Sequence, residues 1–207
     1  MVVDNEVFVL EEINLPKTNR GQETLAKISK AAEDLFSKKG YYNTSITDIT
    51  HKADVAPGTF YIYFKDKKSV FRFLVEELSH TLRREIAIAV RDCKTRFDAE
   101  YVGFRTFFNF VKKHRGLYKI IWEAQFVDDK LFREYYSKVA DGYIEGIKQA
   151  QAKGEVGDLD PEALVYCLIG ISNFIGLRWV IWENKEVPEE VFESIMRFIK
   201  AGAFKDK

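Results

Sequence analysis

Prolines interrupt this 207-residue chain at only four places, and the other turn signals are widely spaced. Long unbroken stretches with apolar residues three and four apart favour amphipathic helices almost everywhere, because strands would need frequent turns and a two-residue alternation. Leu25, Ile28, Ala32, Leu35 and Phe36 stripe a first helix over about Gln22 to Lys39, with Gly40 as its C-terminal cap. Thr44 or Ser45 caps a short second helix that turns Ile46, Ile49 and Ala53 inward, and Pro57 suits the first turn of a third. Asp66 caps a fourth, long helix reaching about Val90.

Further on, Phe104, Phe107, Phe108 and Val111 stripe one helix, Leu117 to Phe126 forms another, and Tyr135, Val139, Tyr143 and Ile147 stripe a third. Asp160-Pro161 opens an apolar helix reaching about Asn184. Pro188 opens a last one, with Val191, Phe192, Ile195 and Ile199 inward. The fold class is all-α.

Composition narrows the function. The hydrophobic share of 46% supports a real core, and Lys+Arg balance Asp+Glu at 32 each. The balance is local, however: Lys17 to Arg72 holds eleven basic and six acidic residues, a charge of +5, and the remainder carries −5. A basic amino-terminal part suits a polyanion. Cys93 and Cys167 give no disulfide framework, and the first sixteen residues bear Asp4, Glu6, Glu11 and Glu12 without a cation, unlike a secretory signal. A cytoplasmic location is expected. Ala163 to Trp182 has the length of a membrane span, but Asn173 and Arg178 within it favour a helix buried on two sides inside protein.

The stretch "VAPGTFYIYFKDKK", Val55 to Lys68, sets aromatic residues between a Pro-Gly start and a lysine cluster. Its "TFYIYF" has strand propensity, yet no partner strand lies nearby, whereas a two-turn helix needs none. On that helix Phe60 and Phe64 anchor one face; Gly58, Thr59 and Ile62 point away, flanked by Tyr61 and Tyr63. Such a face fits a major groove. Glycine lets the backbone approach, hydroxyls and lysines bond phosphates, and Ile62 can meet a thymine methyl. Two short helices around a tight turn make a helix-turn-helix with the third helix as reader.

From about Lys27 to Val70 the chain resembles the TetR family of bacterial transcriptional repressors. It shares the family's Ala-Ala…Leu-Phe, Gly-Tyr, Thr-Ser, Ile, Ala and Val-x-x-Gly-Thr-x-Tyr-x-Tyr-Phe pattern. The resemblance implies an arm over 1–19, a DNA-binding head over 20–70 and a ligand-binding, dimerising body over 71–207. It implies a homodimer through the last two helices, a palindromic double-stranded operator and release by an effector. DNA contacts carried over from the family fall on Thr44, Ser45, Thr47, Pro57, Gly58, Thr59, Tyr61, Tyr63, Lys65 and Lys67, with Thr44 and the lysines on phosphates. Three features depart from the pattern: Asp54 where glycine is frequent, Lys68 where a capping glutamate is frequent, and a longer arm. In that arm Lys17 and Arg20 can reach the DNA backbone, and Val7 to Leu10 can pack on the body.

The body is rich in aromatic residues. Phe104, Phe107, Phe108, Tyr118, Trp122 and Tyr143, with Asn173 and Arg178 as polar partners, are candidates to line a pocket for a largely apolar small molecule; a plain aromatic core is the other reading of the same side chains. No metal or cofactor is expected, since His51, His80 and His114 are isolated and no nucleophile-base signature or glycine-rich phosphate loop occurs. An enzyme is therefore not expected. An all-helical carrier of apolar ligands and an architectural DNA-binding protein stand as the alternatives.

Overall fold

The computed structural model describes residues 13–205; the stretch Val7 to Leu10 lies outside the described residues, as does most of the arm. The described chain is helical apart from two isolated antiparallel bridges, Ile13 with Phe64 and Val156 with Phe204. It divides into two compact units, with the boundary between Glu76 and Glu77.

The amino-terminal unit holds α1 (Asn19–Lys39), α2 (Ile46–Ala53), α3 (Pro57–Tyr63) and the first part of α4 (Lys67–Val90). Helix α1 begins three residues before its expected start because Thr18 accepts from the Gly21 N–H and caps it there. It ends at Gly40, whose φ of 81° needs no Cβ penalty. Ser45, not Thr44, caps α2, in a reciprocal pair with Asp48. The turn into α3 passes through Asp54 at φ 54° and ψ 52°, a left-handed conformation that Asp tolerates better than most residues with a side chain. Asp66 caps α4 as expected, accepting from the Ser69 N–H at 2.7 Å while Ser69 Oγ accepts from the Asp66 N–H at 3.1 Å. Ile28, Ala32, Phe36, Ile49, Phe60, Phe64, Val70 and Phe71 form the core of this unit.

The second unit contains the rest of α4, then α5 (Arg96–Lys113), α6 (Arg115–Val127), α7 (Asp129–Ala152), α8 (Pro161–Ile175) and α9 (Glu189–Ala203). The expected stripe on α5 is buried in full: Phe104, Phe107, Phe108 and Val111. Asp128 caps α7 and Asp160 caps α8, each accepting a backbone N–H. The apolar helix runs on past α8, but its last two turns, Gly176–Trp182, widen into a π-helix that ends before Asn184 at φ 56°. Gly176 faces α5, where a Cβ would stand 3.5 Å from the Phe107 ring, ordinary van der Waals contact. On α9 the buried face is Phe192, Met196, Ile199 and Ala203; Val191 and Ile195 lie half-buried at its edge.

Candidate nucleic-acid interface and ligand core

Helix α3 presents two different faces. Phe60 is fully buried and Phe64 packs beside it with ring centroids 5.6 Å apart, while Tyr61 and Ile62 are 56% and 58% exposed. Pro57 and Gly58 are exposed, Thr59 is half-buried, and a Cβ at Gly58 would meet nothing within 4 Å. The start of the helix is open to close approach by another molecule.

Two expected contacts are turned inward. Tyr63 is 8% exposed, because it lies three residues after Phe60 and therefore on the anchoring face rather than beside the reading face. Thr44 is 2% exposed and its hydroxyl donates to the Gly40 carbonyl at 2.9 Å, so it closes the turn after α1 and is not presented to a phosphate. Lys67 also does structural work: its ammonium donates to the Tyr41 and Thr44 carbonyls, both at 2.8 Å, and lies 4.1 Å above the Tyr41 ring. Lys17, Arg20, Ser45, Thr47 and Lys65 are exposed.

Ser45 is committed to its cap. Its N–H donates to Asp48 Oδ2 at 2.9 Å and its hydroxyl to the same oxygen at 2.7 Å. These bonds from Ser45 hold the Asp48 carboxyl below its ordinary value, so it stays ionised at the start of α2. Tyr42, outside the expected contacts, is exposed at the rim of an open groove of about 430 Å³ that Asn43, Ser45, Ile46 and Lys67 also line.

In the body, Phe104, Phe107, Phe108, Tyr118 and Asn173 are buried and Trp122 is half-buried. Tyr118 donates to Asn173 Oδ1 at 2.6 Å, Tyr136 approaches the same oxygen at 3.4 Å, and Asn173 Nδ2 donates to the Ile169 carbonyl at 2.8 Å. The rings of Phe107 and Trp122 meet Tyr118 edge-on. Burial pushes the Tyr118 hydroxyl well above its ordinary value and Tyr136 up to about 12, so both remain neutral donors.

The other two candidates stand apart from this group. Tyr143 bonds Glu100 and packs beside Ala140, Ile147 and Val165, in a separate cluster. Arg178 is exposed and pairs with Glu183 at 2.5 Å, so it faces outward and not toward Asn173. Among the described residues no group of three or more His, Cys, Asp or Glu side chains is placed to hold a metal ion.

Comparison with known proteins agrees with the first unit's geometry. Residues 28–73 match the family model described as bacterial regulatory proteins, tetR family. The HTH-type transcriptional regulator YdgC of Bacillus subtilis is 26% identical over 192 residues, which span 89% of this chain and 94% of that protein. A crystal structure of a TetR-family transcriptional regulator from Syntrophomonas wolfei superposes with a TM-score of 0.76 at 25% identity, over 87% of this chain and 94% of its own. The transcriptional regulator FadR of Bacillus subtilis, solved in complex with stearoyl-CoA, has the same fold, with a TM-score of 0.76 at 18% identity over 86% of this chain and 98% of its own. The helix-turn-helix of the first unit thus matches the tetR family of bacterial regulatory proteins, and the chain as a whole is similar to HTH-type transcriptional regulators over nearly its whole length.

Proposed function

We propose that the chain is a repressor that binds a palindromic operator as a homodimer and lets go when a largely apolar small molecule enters its second unit. The observation that carries the reading is the two-faced α3, anchored by Phe60 and Phe64 and offering Pro57, Gly58, Tyr61 and Ile62 outward. A helix of this kind reads base edges in a major groove, and a twofold pair reads two half-sites about 34–36 Å apart. Lys17, Arg20, Thr47 and Lys65 are exposed in the same unit and supply the phosphate contacts.

Two features support the dimer. Helix α8 carries Tyr166 and Phe174 on its outer side, Phe174 at 62% exposure, and α9 carries Phe198 at 70%. Gly170 and Gly202 fall beside them with nothing within 4 Å of a Cβ, which leaves room for close approach by another helix. An apolar face of this kind on two long helices is best covered by the same face of a second copy.

The effector reading rests on Tyr118, Tyr136 and Asn173 set among Phe107, Phe108 and Trp122: neutral hydrogen-bonding groups in an aromatic surround, the usual make-up of a small-molecule site. FadR, of the same fold, holds an acyl-CoA. Release requires that the ligand bind the DNA-free state better than the DNA-bound one, since a ligand with equal affinity for both shifts nothing.

The test is fluorescence anisotropy with a duplex selected by the protein from a random pool. Selective binding to an inverted repeat that long-chain acyl-CoA or a free fatty acid weakens supports the reading. Binding with no sequence preference would point instead to an architectural role. Selective binding that none of these ligands alters would leave the operator and remove the apolar effector.

A further inference from the structure

Helix α3 is seven residues long, and its N-cap residue Ala56 makes no side-chain cap. A helix this short is not stable on its own propensity, so its position depends on what holds its ends. The far end is held by residues that precede α1. The Asn14 N–H donates to the Tyr63 carbonyl at 3.1 Å, its side-chain amide donates to the Ile62 carbonyl at 3.0 Å, and Ile13 bridges antiparallel to Phe64. Two carbonyls that the end of a helix leaves without intrahelical partners are thereby satisfied from forty-eight or more residues away.

The other end of this segment is pinned to α1. A Cβ at Gly21 would lie 2.6 Å from Pro16 Cβ and 3.1 Å from Thr18 Oγ1, so glycine there lets Pro16 seat against the first turn. Thr18 then caps the helix. From Ile13 to Thr18 the chain is a strap, fixed to α3 at one end and to α1 at the other.

We infer that this strap sets the pose of the recognition helix, and that Asn14 is a positioning residue for base reading although it need not touch DNA. The inference rests on α3 being the reader. Ile62 and Tyr61 project from the same final turn whose carbonyls Asn14 holds, so a shift of that turn moves their side chains relative to the base edges. Phosphate contacts from Arg20 on α1 and Thr47 on α2, which lie outside the strap, do not depend on it in the same way. The strap therefore acts on sequence discrimination more than on non-specific affinity.

The experiment compares wild type, Asn14→Ala and Gly21→Ala on two duplexes: one selected from a random pool by the wild-type chain, and a scrambled duplex of the same composition. Asn14→Ala is expected to weaken binding to the selected duplex about fivefold, the effect of one lost hydrogen bond. Affinity for the scrambled duplex and the slope of log affinity against log salt should stay at wild-type values, because the number of neutralised phosphates is unchanged. Gly21→Ala should give the same pattern through the opposite end of the strap. Alanine has the higher helix propensity, so this variant also separates pose from folding.

Amide exchange supplies the structural readout. In Asn14→Ala the Phe64 N–H, bonded to the Phe60 carbonyl at 3.0 Å, should exchange faster while the amides of Ile28 and Phe36 in α1 keep their protection. Wild-type discrimination in both variants overturns the inference, as does an equal loss on both duplexes or a general loss of protection through α1. A wild-type chain that selects no duplex at all removes the DNA-reading premise itself, before any variant is made.

Discussion

In the second unit the buried groups around Glu100 and around Asn173 are built on opposite principles. Near the start of α5, Glu100 is 3% exposed and takes two bonds from Arg96, Nε to Oε1 at 2.7 Å and Nη2 to Oε1 at 2.6 Å, and a third from the Tyr143 hydroxyl to Oε2. The Arg96 backbone N–H is held by Glu155 Oε2 at 2.6 Å, and its guanidinium crosses Gly146, where a Cβ would come within 2.4 Å of Nη1. The group around Asn173 holds no charge. Tyr118, Tyr136 and Asn173 share one amide oxygen, and the hydroxyl oxygens keep lone pairs. An ionic group must keep every member, because a lone buried charge is costly. A neutral group can exchange one partner for another at small cost. The first is suited to bracing α5 against α7 and the loop that follows it, the second to receiving a guest.

Removing Arg96 should therefore have the largest effect. Arg96→Ala leaves Glu100 buried without its cation and is expected to cost about 3 kcal/mol or more at pH 7, measured by urea unfolding. Asn173→Leu keeps the branched shape but strands the Tyr118 hydroxyl, and should cost about 2 kcal/mol. Equal losses in the two variants would erase the distinction between the brace and the proposed guest site. A near-silent Arg96→Ala would reverse it.

How far each region could be read from the chain depends on whether its determinants are local. Pro57 at the start of α3, Asp66 and Ser69 at the start of α4, and the phenylalanine stripe of α5 act within a turn or two, so spacing reveals them. Tyr63, expected as a DNA contact, is buried for an equally local reason, since it lies on the Phe60 side of α3 by simple phase. Arg178 follows Asn173 by five residues, about 140° round an α-helix, and so falls on the outer side. Tyr143 was not legible. It lies on the same stripe of α7 as Tyr136 but two turns along, and only the fold shows that Glu100 meets it there and Asn173 meets Tyr136. Nor could the chain show that Asn14 reaches the end of α3, because that contact spans forty-eight residues.

Acidity offers a sharper separation. Burial outweighs Arg96 and Tyr143 and holds the Glu100 carboxyl above its ordinary value of 4.5. A carboxyl raised in the folded state binds its proton there more tightly than in the unfolded chain. Its contribution to stability is then undiminished below about 4.5 and is lost as pH rises from there through the folded value. Wild type should lose stability relative to Glu100→Gln across that window, as followed by urea midpoints at successive pH values. The neutral group contributes nothing to the trend, since Tyr118 and Tyr136 titrate far above it. A difference between the two proteins that stays flat with pH would mean that the brace keeps Glu100 ionised throughout.

The smallest effects should come from within the neutral group. Tyr118 bonds Asn173 at 2.6 Å, so Tyr118→Phe is expected to cost about 1 kcal/mol in thermal unfolding. Tyr136 stands 3.4 Å from the same oxygen, beyond good hydrogen-bond length, and Tyr136→Phe should cost only a few tenths of a kcal/mol. Asn173 Oδ1 is already engaged by Tyr118, which leaves the Tyr136 hydroxyl the most easily redirected group of the three. If it turns toward a ligand, Tyr136→Phe will leave stability almost unchanged while lowering the ligand's effect on DNA binding. A stability loss matching that of Tyr118→Phe would instead show the Tyr136 hydroxyl fixed in the interior, and the neutral group would then be as closed as the ionic one.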